Sequence, residues 1–254
     1  MNINLFIVIF LKVKLDEIPK FIINLKKRPE RLESIKKEME YMGWDYEVFE
    51  GIDLDSHVGC THSHLAIFDI AEERGYDDIM VIEDDCYFMP YAHDLIKKIE
   101  STNFDFDYIN FSPTLNRKIS KSHTHPYLND LTIISDDPAD KGIYATNCIL
   151  YNKKVFDTIR TITGTTMPNG RYFYAIDTYI WRNVIPKFKS YCPILPLCLQ
   201  KSYYSDVSGG NYNNFYIQSY NWDNRTQMNI PPLYKNFGSC ENIKNKNIKE
   251  KLNF

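Results

Sequence analysis

The feature that most constrains this chain is Ile79-Met80-Val81-Ile82, a fully apolar run held between Asp77-Asp78 and Glu83-Asp84-Asp85. Four consecutive apolar residues with no alternation describe a strand buried on both faces, as in the middle of a parallel sheet covered by helices. Charge stops the run on both sides, so the strand ends where it meets water. Its carboxyl end is therefore a cluster of three acids, placed where open α/β sheets bind their ligands.

The flanking sequence repeats the pattern. Phe21-Ile22-Ile23-Asn24-Leu25 is a second apolar run, cut off by Lys26-Lys27-Arg28-Pro29. Pro29 suits the first position of a helix, and Leu32, Ile35, Met39 and Met42 recur at spacings of three and four before Gly43 stops the pattern. Further strands are expected at Tyr46 to Phe49, Tyr108 to Phe111 and Gly142 to Tyr151, and helices at about His62 to Arg74, Ala92 to Glu100 and Lys153 to Thr161. Strand and helix alternate, which predicts an α/β fold with a largely parallel central sheet. Ser112 to Lys141 shows little periodicity, and so long a loop inside a domain ordinarily covers or forms a site. One domain is expected over residues 21–210, preceded by an apolar extension or edge strand (1–20) and followed by an irregular segment (211–254).

Thirty Lys and Arg against 33 Asp and Glu give a net charge of −3, which offers no field for nucleic acid or an anionic membrane. The run Leu5 to Leu11 is far short of the ~20 residues that span a bilayer, and it lacks the basic start and cleavage site of a signal peptide. A cytoplasmic location is expected, that of a host cell if the bias to Ile, Lys and Asn marks a viral rather than bacterial genome. The six cysteines contain no C-x-x-C pair and are expected to be reduced. N-x-[ST] triplets at Asn110 and Asn224 matter only in a secretory lumen.

Three adjacent acids repel one another, and a divalent cation that bridges them to an anionic ligand relieves the repulsion. Side chains alternate along an extended chain, so Glu83 and Asp85 share one side and are the expected metal pair, with Asp84 opposite. The bland alternative is a solvated acidic turn. In His62-Ser63-His64 the two imidazoles diverge by about 200° on a helix, so only one can face the strand ends. Arg28 and Arg31 open a helix after a strand and form an anion-friendly mouth, or are plain solvated charges. There is no G-x-G-x-x-G and no G-K-[ST].

Ordered blocks of sequence also carry a resemblance. Ile22 to Leu32 resembles the opening "INL, basic, R-P-x-R" block of glycosyltransferase family 25, the lipooligosaccharide and procollagen galactosyltransferase-like group. Gly59-Cys60-Thr61-His62-Ser63-His64 resembles its "G-C-x-x-S-H" block and Glu83-Asp84-Asp85 its "EDD" block. Tyr144 to Leu150, Asp177 and the Gln200 with Ser205-Asp206-Val207 stretch are similar to its later blocks.

The resemblance implies a GT-A type nucleotide-sugar transferase, with a Rossmann-like, mostly parallel central sheet flanked by helices. It implies a UDP-sugar donor, Mn²⁺ (or Mg²⁺), inversion, and a hexose, galactose or glucose, passed to a glycan or to hydroxylysine of a collagen-like protein. Glu83 and Asp85 then hold the metal. Asn24, Leu25, Arg28, Arg31, Ser63, His64 and Asp84 lie on the donor side, and Asp177, or second Asp206, is the general base. Asp177 reads equally as a helix N-cap. A non-catalytic carbohydrate-binding protein on the same scaffold, and a metal-dependent phosphohydrolase, remain open alternatives.

Overall fold

A computed structural model describes residues 14–54, 57–102, 104–115, 131–133, 143–193, 196–201, 204–205 and 210–211. Asp206, Asn224, Cys240, most of the 112–141 stretch and the 212–254 segment lie outside the described residues, as does the apolar run before Lys14.

The first half follows the expected alternation: β1 (Lys20–Asn24), α1 (Pro29–Met42), β2 (Glu47–Glu50), α2 (His57–Glu73) and β3 (Asp78–Glu83). These are followed by β4 (Cys86–Phe88), α3 (Ala92–Ser101), β5 (Tyr108–Asn110), β6 (Thr114–Leu115), β7 (Leu131–Ile133), β8 (Ile143–Tyr144) and β9 (Cys148–Asn152). A 3-10 turn at Lys153–Val155 runs into α4 (Phe156–Arg160), then come α5 (Ile176–Asn183), β10 (Ser190–Pro193) and β11 (Cys198–Gln200).

The central sheet has seven strands in the order β2-β1-β3-β9-β5-β10-β7. Five run in one direction, while β9 and β7 are antiparallel to their neighbours. Helices flank it on both faces. Every second side chain of the central strands enters the same layer: Ile22, Met80, Ile82 and Leu150 face the α1 and α3 side, while Phe21, Val81, Ile149 and Tyr151 face α2, α4 and α5. Burial on both faces is why β3 reads as an unbroken apolar run rather than an alternating one. Leu15 is itself fully buried in the α1-side core, so the end of the leading segment packs onto the domain.

Three differences from the sequence expectation bear on the site. Helix α2 starts at His57, not near His62, which places Gly59 inside it. The expected strand Gly142 to Tyr151 is two short strands separated by Ala145-Thr146-Asn147, where Ala145 takes φ 75°, left-handed for a non-glycine. The third is the direction of β9, which no pattern of side chains encodes.

Gly43 closes α1 in the left-handed conformation at φ 66°, where its N–H bonds the Glu40 carbonyl at 3.1 Å. Among the described residues the cysteines are unpaired in disulfides, and no helix is long and apolar enough to cross a membrane.

Candidate functional site

Strand order reverses around β1: α1 leads to β2 on one side, and β3 pairs on the other. The carboxyl ends of β1 and β3 are thus the switch point, where a doubly wound sheet opens a crevice. Asn24, the last residue of β1, and the three acids after Ile82 meet there.

Each acid has its own partners. Asp84 turns toward β1 and α1, accepting from Asn24 Nδ2 at 2.7 Å and facing Arg31 Nη1 at 3.4 Å. Burial pushes its carboxyl up to about 6, with Arg31 and Asn24 opposing the rise. Asp85 is almost fully buried and accepts from two neutral amides, Asn147 Nδ2 at 2.7 Å and Gln200 Nε2 at 2.8 Å. Burial first, then the Glu83 and Asp84 charges, push it up to about 7. Glu83 accepts from Thr146 Oγ1 at 2.5 Å and lies 3.9 Å from His64 Nε2. Burial alone favours its neutral form, but His64 and Thr146 outweigh that and hold the carboxyl below the ordinary range. The expected alternation holds in part: Asp84 points away from the other two, which are engaged by successive residues of one loop.

That loop organises the cluster. Thr146 holds Glu83, Asn147 holds Asp85, and the Asn147 carbonyl accepts the Glu83 N–H at 2.8 Å. Its left-handed start is clamped from two sides. Asn110 Nδ2 donates to the Ala145 carbonyl at 2.9 Å, and the Ala145 N–H donates to Asp177 Oδ2 at 3.2 Å. Asn110 is 1% exposed and engaged in this bond, so it is no glycan acceptor in the folded chain. Ala175, not Asp177, occupies the N-cap of α5; Asp177 sits in the first turn. The N-cap reading of Asp177 is therefore replaced by a tie to the loop.

The remaining expected residues are spread more widely. Arg31 is drawn to Asp84, whereas Arg28 is partly exposed at the start of α1, its carbonyl accepting from Asn24 Nδ2 at 3.1 Å. Leu25 is half-buried at the turn after β1, its carbonyl accepting from the Arg28 N–H at 2.8 Å. Beside it, Lys26, Lys27, Glu50, Gly51, Ile52 and Asp53 line an open depression at the carboxyl ends of β1 and β2.

Ser63 is turned to internal work. It donates to the Gly59 carbonyl at 2.8 Å and accepts from the Ile52 N–H at 2.9 Å, stitching α2 to that depression. Gly59 allows this approach, since a Cβ there would sit 2.3 Å from the Ile52 carbonyl oxygen. The two histidines diverge as expected. His62 meets the Tyr172 hydroxyl at 2.9 Å, and His64 faces Glu83.

Thr146, Asn147, Gln200 and Cys60 are site residues that the motifs did not single out as functional. All four lie within the family-like blocks, Cys60 in the second, Thr146 and Asn147 in Tyr144 to Leu150 and Gln200 in the closing one, which is the signal that could have found them. Asp206 lies outside the described residues, so no geometry attaches to it.

The chain is 12% identical to a glycosyltransferase involved in glycosylation of the major capsid of PBCV-1, covering 69% of this chain and 80% of that one with a TM-score of 0.41. It is 10% identical to a Drosophila beta-1,4-galactosyltransferase 7 variant in complex with manganese, UDP-Gal and xylobiose, over 85% of this chain and 77% of that one, with a TM-score of 0.40. No curated protein matches the sequence. The family model described as "Glycosyltransferase family 25 (LPS biosynthesis protein)" matches residues 54–166. Over that span, which holds Cys60, His64, the three carboxylates and the loop that orders them, the chain is similar to glycosyltransferase family 25.

Proposed function

We propose that this glycosyltransferase moves a hexose, galactose or glucose, from a UDP-sugar to a hydroxyl of a glycan or of hydroxylysine in a collagen-like protein, with inversion. The observation that carries the reading is the buried acid cluster at the β1/β3 switch point, inside the span that matches the family.

Mn²⁺ or Mg²⁺ held by Glu83 and Asp85 would act as a Lewis acid for the departing diphosphate. The residues fit such an ion. Hard carboxylate oxygens suit it, and Asp85 is a buried acid hydrogen-bonded by neutral amides and pushed up to about 7, so a nearby cation would favour its charged form. Thr146, Asn147 and Gln200 orient the two carboxylates. Asn24 and Arg31 fix Asp84 behind them, and the depression beside Leu25, Lys26 and Lys27 is the place assigned to the nucleotide, with Arg28 at its edge.

Inversion in one displacement requires a base for the acceptor proton. Asp177 is assigned that role, with Asp206 as second choice. Asp177 Oδ2 meets the backbone of Ala145, next to the residue that holds Glu83, so base and leaving-group side share one loop.

The test is UDP release from a panel of UDP-sugars with Mn²⁺, with Mg²⁺ and with chelator. Turnover is expected with one hexose donor, abolished by chelator and by Asp85→Ala, and lowered ~10²–10⁴-fold by Asp177→Asn. No turnover with any donor, together with UDP binding unchanged in Asp85→Ala, would sink the proposal.

A further inference from the structure

Cys60 and His64 stand four residues apart on α2 and so project from one face of the helix, toward the end of β3. Cys60 Sγ and His64 Nε2 each lie 3.9 Å from Glu83 Oε1, and the three atoms all fall within 4.8 Å of one another. His64 is fully buried, yet its Nε2 has no hydrogen-bond partner. Its other ring nitrogen, Nδ1, faces the Tyr151 hydroxyl at 3.3 Å. In the metal-bound state a proton kept on Nδ1 and donated to the Tyr151 hydroxyl leaves the Nε2 lone pair for an ion between Glu83 and Cys60, the arrangement by which proteins orient a metal-binding imidazole.

We propose that Cys60, His64 and Glu83 form a seat for a zinc-class divalent cation. The seat goes beyond the transfer reaction proposed above and stands without it, although it shares Glu83. One thiolate, one imidazole and one carboxylate are the ligands of a tetrahedral zinc-class ion, whereas Mn²⁺ and Mg²⁺ prefer oxygen alone. With metal–ligand bonds of about 2.0–2.3 Å, ligand atoms stand roughly 3.3–3.6 Å apart. The two distances to Glu83 therefore need to close by only about half an ångström. Binding displaces the Cys60 thiol proton to solvent. The Glu83 side chain is 23% exposed, which leaves an open side for a fourth ligand. An ion seated there takes Glu83 out of the acid cluster, so zinc and a donor-side Mn²⁺ compete.

The test is a Co²⁺ titration of the metal-free full-length chain with no nucleotide or sugar present. One equivalent is expected to give a near-ultraviolet sulfur-to-cobalt charge-transfer band with the visible bands of a tetrahedral ion, both erased by Zn²⁺. Cys60→Ser is expected to lose the charge-transfer band and at least about tenfold in cobalt affinity, and Tyr151→Phe to keep the band at roughly tenfold weaker affinity. Asp85→Asn is expected to leave the band unchanged. Near-ultraviolet circular dichroism of each metal-free variant establishes that it is folded, and Cys60→Ala replaces Cys60→Ser if that variant is not. No band in the wild type, a band that survives loss of the Cys60 thiol, or one that vanishes in Asp85→Asn would each overturn the seat. Because no donor is present, a chain without transferase activity can still pass, and an active one can still fail.

Discussion

Replacing Gly59 by alanine sets two effects of opposite sign against each other. Gly59 lies within α2, where alanine is favoured over glycine by about 1 kcal/mol. Against this, the new Cβ meets the Ile52 carbonyl oxygen at 2.3 Å, the Leu54 carbonyl oxygen at 2.9 Å and the Leu54 nitrogen at 3.0 Å. All three are backbone atoms, so no side chain can swing aside, and the 52–54 segment must retreat by about 1 Å, the gap between 2.3 Å and a normal contact. That segment is pinned: the Gly51 N–H bonds the Asn24 carbonyl at 2.8 Å, and the Ile52 N–H bonds Ser63 Oγ at 2.9 Å. Overpacking costs about 1–3 kcal/mol and the Ser63 bond about 1 kcal/mol more. The steric term wins, for a net loss of about 1–3 kcal/mol. At about 2–4 °C per kcal/mol for a chain of this size, the melting temperature falls by roughly 2–12 °C. Thermal melts and urea titrations of Gly59→Ala measure it, with Gly164→Ala, where nothing stands within 4 Å of the new Cβ, as the control. A Gly59→Ala variant as stable as the parent, or more so, refutes the close approach of the loop to α2.

Arg31→Met removes the cation beside Asp84, an acid whose folded carboxyl is already pushed up to about 6 by burial. Such an acid binds more protons folded than unfolded, so its contribution to stability falls as pH rises from about 4 to 6. Without Arg31 the carboxyl rises further, and the loss against wild type, about 3–5 kcal/mol at pH 8 in urea titration, is expected to shrink at pH 5, where the neutral acid needs no counter-charge. A loss independent of pH would contradict this. Lys20 is the opposite case: burial pushes its ammonium down to about 8, while the Asp16 and Ile18 carbonyls accept from it. The unfolded chain then binds the extra proton, so wild-type stability rises between about pH 8 and 10.5 relative to Lys20→Met; parallel pH curves of melting temperature would refute it. Ala145→Gly is expected to raise stability by up to about 1 kcal/mol by relieving the left-handed φ of 75°, and Asp177→Ala to lower it by about 1 kcal/mol by releasing the Ala145 N–H, both read from melting temperatures. Destabilisation by Ala145→Gly would show that this backbone is unstrained.

Short-range signals sufficed for much of the framework. The unbroken run Ile79 to Ile82 announced a doubly buried strand, because side chains facing two apolar layers leave no polar face to write. Pro29 and Gly43 bracketed α1 through their own dihedral limits, and the switch from apolar to acidic at Glu83 marked the strand end beneath the site. The divergence of His62 and His64 followed from helix geometry alone, and the opposite sides taken by Asp84 and its neighbours from the alternation of an extended chain. Helix α2 starts at His57, ahead of the expected His62, and its first turn holds Gly59, where the Ile52 carbonyl leaves no room for a side chain, a close approach that only the tertiary structure shows.

What the acids do depends on residues far away in the chain. Asn24 reaches Asp84 across 60 residues, Thr146 reaches Glu83 across 63, and Gln200 reaches Asp85 across 115. Ser63 looked like a ligand residue by its motif, but the fold spends its hydroxyl on Ile52. The antiparallel β9 brought Ala145-Thr146-Asn147 to the strand end, and a reversed strand with the same alternation of side chains is indistinguishable by pattern. The chain's local order thus determined that three carboxylates would gather at the edge of a buried sheet. Only the tertiary structure decided which is neutralised by an arginine, which is held by amides and which faces the unsatisfied Nε2 of a buried imidazole, because burial and long-range contact set those partners and local propensity does not.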